Sequence, residues 1–100
     1  MNYSFHPEAE VEFNRAVDYY EEVEPGLGYD FALEVYATIQ ISLTHPEAWP
    51  ILEGEMRRSL VRRFPYGVIY SVNDNELQIL AVMNLHRHPD YWKKRLTPKS

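Results

Sequence analysis

A chain of 100 residues suits one domain; at this length folding buries roughly 60–70% of the unfolded surface, which excludes a second independent core. Apolar residues at 45% and charged residues at 25% match a soluble globular protein, and the lack of cysteine excludes disulfides, zinc–thiolate sites and thiol nucleophiles. The net charge of −5 conceals an asymmetry, since residues 1–55 carry one basic residue, Arg15, against twelve acids, while residues 56–100 carry nine basic residues against three acids.

Such a split is what a basic C-terminal half with a polyanionic or acidic partner would show, although acidic helices and a basic sheet neutralising each other would show it too. No run of about 18 apolar residues exists, and Met1–His6 lacks the apolar region of a signal peptide. The expected location is therefore the cytoplasm, with no membrane partner.

Tyr3–His6 reads as a short strand stopped by Pro7, which suits the first position of a helix. Ala9, Phe13, Ala16, Val17 and Tyr20 then form a one-sided helical stripe, with Glu8, Glu10, Glu12, Asp18, Glu21 and Glu22 on the other faces. Glu24-Pro25-Gly26-Leu27-Gly28 ends this helix. A second helix is expected from about Tyr29 to Thr44, carrying Phe31, Val35, Ile39 and Leu43 on its apolar face and closed by His45-Pro46. The two make a helical hairpin. His6 and His45, each beside a proline, read as capping or packing residues, and Tyr19, Tyr20, Tyr29 and Tyr36 as hairpin core and rim.

Pro46–Pro50 reads as a loop with Trp49 tucked against the hairpin, and the rest is strand-like. Met56–Phe64 alternates roughly; Tyr66–Val72 is rich in β-branched and aromatic residues, with Pro65 at its entrance. Asn73-Asp74-Asn75 is a hairpin turn signal. Glu76–Leu85 is apolar on both faces, as a central strand should be. The expected fold is α+β, ordered β-α-α-β-β-β, with the helical hairpin packed on a small, mainly antiparallel sheet.

Two stretches concentrate the chemistry. Strand alternation sends Arg58, Leu60, Arg62 and Phe64 one way and Arg57, Ser59, Val61 and Arg63 the other, so two of these arginines should face solvent as candidates for phosphate contacts. A solvated face, or a surface for an acidic protein segment, would use the same residues. The second stretch, His86-Arg87-His88-Pro89-Asp90-Tyr91-Trp92-Lys93-Lys94, follows the central strand directly. Two histidines one residue apart could be metal ligands, but no third ligand is evident, so neither a metal nor a cofactor is expected. Tyr91 and Trp92 could equally form a C-terminal clasp packed on the sheet.

Arg63-Phe64-Pro65-Tyr66 followed by Tyr70, together with Ala81-Val82 leading through Arg87 and Pro89 to Tyr91-Trp92, resembles the RelE/ParE superfamily, the toxins of bacterial type II toxin–antitoxin pairs, often labelled plasmid stabilisation proteins. The resemblance covers nearly the whole chain and implies a small cognate antitoxin as partner and growth inhibition as outcome. Its ParE branch implies binding to DNA gyrase. Its RelE branch implies ribosome-dependent, metal-independent cleavage of messenger RNA, with His86 or His88 as base or acid, Arg87 as phosphate clamp and Tyr91 as a stacking or proton-donating group. In either branch Arg57, Arg58, Arg62, Arg63, Lys93 and Lys94 would bind the RNA or the protein target. Two positions depart from the superfamily's usual His-x-Arg-Arg ending: Asn84 replaces the histidine and His86 the first arginine. The thinner set of basic residues and the acidic whole favour the ParE branch, and the two departures also admit a toxin-derived interaction module without activity.

Overall fold

The computed structural model describes residues 1–87 and 91–95. Strand β1 (Asn2–Phe5) is short because Pro7 cannot extend a ladder; instead Pro7 opens α1 (Pro7–Val23), where the His6 Nδ1 accepts a hydrogen bond from the Glu8 amide at 3.1 Å. Helix α2 (Leu27–Thr44) begins two residues before the Tyr29 expected from the Pro/Gly turn. The reason is a cap supplied from the neighbouring helix: the Glu21 carboxylate accepts from the Gly26 amide at 2.9 Å and the Gly28 amide at 3.0 Å, satisfying donors that a helix start leaves unpaired. Gly28 also sets the closeness of the hairpin, because a Cβ there would lie 2.5 Å from the Val17 carbonyl oxygen.

The remaining elements are β2 (Ile51–Glu53), β3 (Met56–Leu60), β4 (Tyr66–Asn73), β5 (Glu76–Asn84) and a 3-10 turn (Lys93–Arg95). They build one sheet with β1 in the order β1-β5-β4-β3-β2. Every pairing is antiparallel except β1 with β5, which is parallel, Asn2 opposite Glu76 and Phe5 opposite Ile79. The α+β architecture is as the sequence led us to expect, with one addition. Strand β2 carries no alternation signal in its three exposed residues; it exists because the turn at Gly54 (φ 58°) folds it onto β3.

Strand β3 also stops at Leu60, four residues earlier than the apolar pattern suggested. Arg63 takes a left-handed φ of 73° and Pro65 has no amide to donate, so 61–65 forms a bend closed by the Val61 amide on the Tyr66 carbonyl at 2.9 Å. Strict alternation fails there. Phe64 turns towards the helices, its ring centroid 4.9 Å from Tyr20 and 5.1 Å from Phe31. The β4–β5 hairpin closes at Asp74 (φ 51°) and Asn75 (φ 62°), the two positive-φ positions of a type I′ turn.

Two apolar clusters sandwich the sheet. On the helix side Phe13, Phe31, Val35 and Ile39 pack against Val68, Tyr70, Leu77 and Ile79. On the opposite side Met56, Ile69, Leu80, Ala81 and Met83 are covered by Trp92, which is 1% exposed, with Tyr91 beside it. Strand β5 serves both clusters, helped by a bulge: Ile69 pairs with Ala81 and Tyr70 with Ile79, leaving Leu80 as the extra residue.

Candidate functional site

Parallel pairing with β1 ends at Ile79, so among the described residues β5 from Leu80 onward has no strand neighbour on that side. Helix α1 crosses this open edge. Glu12 Oε1 accepts from the Val82 amide at 3.0 Å, and Glu12 Oε2 accepts from Arg95 Nη2 at 2.8 Å. Arg95 Nη1 in turn donates to the Leu80 carbonyl at 2.9 Å, and its Nη2 lies 3.3 Å from Glu8. A carboxylate–guanidinium clip thus satisfies the backbone groups that a strand would otherwise pair. The Arg95 side chain is only 9% exposed.

Tyr91 packs beneath the clip. The guanidinium carbons of Arg87 and Arg95 stand 4.2 Å and 5.1 Å from its ring centroid, within the range of cation–π attraction. Among the described residues its buried hydroxyl has no partner in good hydrogen-bonding geometry, although the Glu12 carboxylate lies close enough to act on it. Burial, and after it the nearby Glu12 carboxylate, push the phenol pKa well above its ordinary value.

Next to the clip, α1 and the end of β5 enclose an open cleft of about 510 Å³. Arg15 and Tyr19 form the helical wall, Asn84, His86 and Arg87 the opposite wall, and Ala16 and Val82 line the space between. Asn84 shapes its own wall: its Oδ1 accepts from the His86 amide at 2.9 Å and its carbonyl from the Arg87 amide at 3.0 Å, making the turn that presents both side chains. Among the described residues neither Arg15 nor Arg87 has a carboxylate within ion-pair distance.

The other candidate cations lie apart from this cleft. Arg57 points to the helix side and donates to the carbonyls of Glu47 and Trp49. Arg58 lays its aliphatic stem over Gly67, where a Cβ would meet it at 3.1 Å. Arg62 is exposed in the bend, and Arg63 sits 3.8 Å from Asp30 and 4.0 Å from Glu34. Lys93 Nζ is 2.6 Å from Glu53, and Lys94 lies with His6 and Glu8 near Tyr91. His88 and Pro89 lie outside the described residues. The structure therefore brings His86 and Arg87 together and adds Glu12, Arg15 and Tyr19, which motif reading passed over. One signal for Arg15 was available: it is the sole basic residue among the first 55.

Among the described residues no group of three or more His, Asp or Glu side chains could hold a metal ion, and no helix is long and apolar enough to cross a membrane. A helical hairpin on one face of a five-stranded mixed sheet defines an α+β protein with a cleft beside strand β5. No protein-family model and no curated protein matches the chain. A solved structure described as the chromosomal ParDE TA system from P. aeruginosa does match, with a TM-score of 0.74 and 16% identity, over 84% of this chain and 95% of that one. At that identity the likeness is one of fold: this chain folds as that one does.

Proposed function

We propose that this protein is the toxin of a type II toxin–antitoxin pair, held inactive by a small antitoxin and arresting growth in the cytoplasm by binding DNA gyrase. The observation that carries the first part is the overlap with the ParDE structure, which spans 95% of that chain. The choice of a binding mode over RNA cleavage rests on where the basic residues lie. An RNA-cleaving site needs several cations and a proton donor converging on one phosphate. Here Arg57 is committed to backbone carbonyls, Arg63 faces Asp30 and Glu34, and the Tyr91 hydroxyl is buried with its proton held tightly. The RelE-type alternative keeps one supporting observation, the meeting of His86 and Arg87 in the cleft.

Induction of the protein in bacteria, with labelled thymidine and labelled amino acid followed side by side, tests this reading. DNA synthesis should fail first and gyrase resistance mutations should restore growth. Early loss of protein synthesis, abolished by Arg87→Ala, would replace it with the ribonuclease reading. Unchanged incorporation of both labels would remove the toxin assignment.

A further inference from the structure

We infer that the cleft between α1 and the end of β5 is a binding site for a nucleoside 5′-phosphate. The first observation is electrostatic. In a chain of net charge −5, Arg15 and Arg87 stand on opposite walls of one cleft with no carboxylate partner among the described residues. The cleft's own carboxylate, Glu12, is turned to Arg95 at 2.8 Å, a guanidinium it shares with Glu8 at 3.3 Å, and is not within ion-pair distance of Arg15 or Arg87. Arg87 stacks on Tyr91 through its flat face, which leaves its N–H edge to donate. Two guanidiniums on one space, without a carboxylate in reach among the described residues, attract a multiply charged anion, and their planar donor forks fit phosphate oxygens.

The second observation is the aromatic wall. Tyr19 is 59% exposed, yet its ring is held edge-on against Tyr20 at a centroid distance of 5.1 Å and 70°. An exposed ring beside cations is the arrangement on which a nucleobase stacks. Ala16 and Val82 give the space between the walls an apolar lining. The Asn84 side-chain oxygen is occupied by the His86 amide, which leaves its NH₂ group to donate to a base or ribose oxygen. A volume of about 510 Å³ accommodates one nucleotide. Of the other cations, Arg57, Arg63, Lys93 and Arg95 are engaged with protein partners and Arg58, Arg62 and Lys94 do not line the cleft, which favours a single nucleotide there over a polymer tracked by many phosphates. This inference stands independently of the toxin reading, because it rests on the cleft alone.

Calorimetric titration of the full chain at low salt tests it, with AMP, GMP, CMP and UMP as probes and adenosine, inorganic phosphate and a short single-stranded oligonucleotide as comparisons. At least one mononucleotide should bind, with adenosine and phosphate each weaker by about tenfold or more, equivalent to about 1.4 kcal/mol. Arg15→Ala and Arg87→Ala should each weaken that binding about tenfold, and Tyr19→Ala should weaken it too, with Arg15→Lys intermediate and circular dichroism unchanged. Arg62→Ala, exposed and outside the cleft, should leave it unchanged. Absence of mononucleotide binding at about millimolar concentration, equal binding of phosphate alone, equal loss in Arg62→Ala, or binding of the oligonucleotide only would each overturn the assignment.

Discussion

Replacing Glu12 with alanine asks whether a side-chain clip substitutes for a missing strand at the open edge of β5. The substitution removes the acceptor for the Val82 amide and separates the Arg95 guanidinium from its nearest carboxylate. A hydrogen bond to a charged group contributes about 1.5–3 kcal/mol, and removing one partner of a buried ion pair costs about 3–5 kcal/mol. These contributions overlap, and Glu8, 69% exposed, remains 3.3 Å from Arg95. The lower end is therefore appropriate, about 3 kcal/mol, against a total stability of about 5–15 kcal/mol for a domain. For a domain of this size that corresponds to a fall in Tm of roughly 12–24 °C. Glu12→Gln keeps an acceptor for Val82 and should cost less than half as much. Urea unfolding followed by circular dichroism gives the free energies, and an Arg95→Met cycle gives the coupling, expected at about 1 kcal/mol or more. A loss below about 0.5 kcal/mol in Glu12→Ala, or strict additivity with Arg95→Met, would refute the clip.

Tyr91→Phe should be neutral or stabilising by up to about 1 kcal/mol at neutral pH, because it removes a buried hydroxyl that has no well-formed hydrogen bond among the described residues. The same phenol has a folded-state pKa raised above its ordinary 10.0. Its contribution is therefore complete below pH 10 and is lost as pH rises above that value, so Tyr91→Phe should flatten the alkaline fall in stability measured by denaturant titration. Gly28→Ala drives a methyl group against the Val17 carbonyl at 2.5 Å and should destabilise by about 1–3 kcal/mol in thermal unfolding. Trp92→Ala empties the pocket over Ile69, Leu80 and Met83 and should cost about 3–5 kcal/mol, with increased binding of an apolar dye to the uncovered sheet face.

Local physics was legible in the residues. The spacing of Ala9, Phe13 and Ala16 fixed the buried stripe of α1, and all three are buried. Asp74 and Asn75 tolerate positive φ, so the β4–β5 turn could be placed from composition. The two-sided apolar run Leu77–Met83 marked β5 as central, and it does feed both clusters. Alternation gave the wrong end for β3, because it assumes an extended backbone that the left-handed Arg63 breaks.

The amino-acid sequence by itself determined the helical hairpin, the strand-rich second half and the segregation of acid from base, because each depends on short-range periodicity and composition. Only the tertiary structure decided which charges meet. Glu12 and Arg95 are 83 positions apart, and they pair because α1 crosses β5 where β1 has ended. Arg15 faces the turn that carries Arg87 for the same reason. Likewise Arg57 and Arg58, adjacent in the chain, were sent to opposite faces of the sheet by the pleat. Periodicity encodes which face a residue shows, whereas the partner on that face is set by how the layers stack.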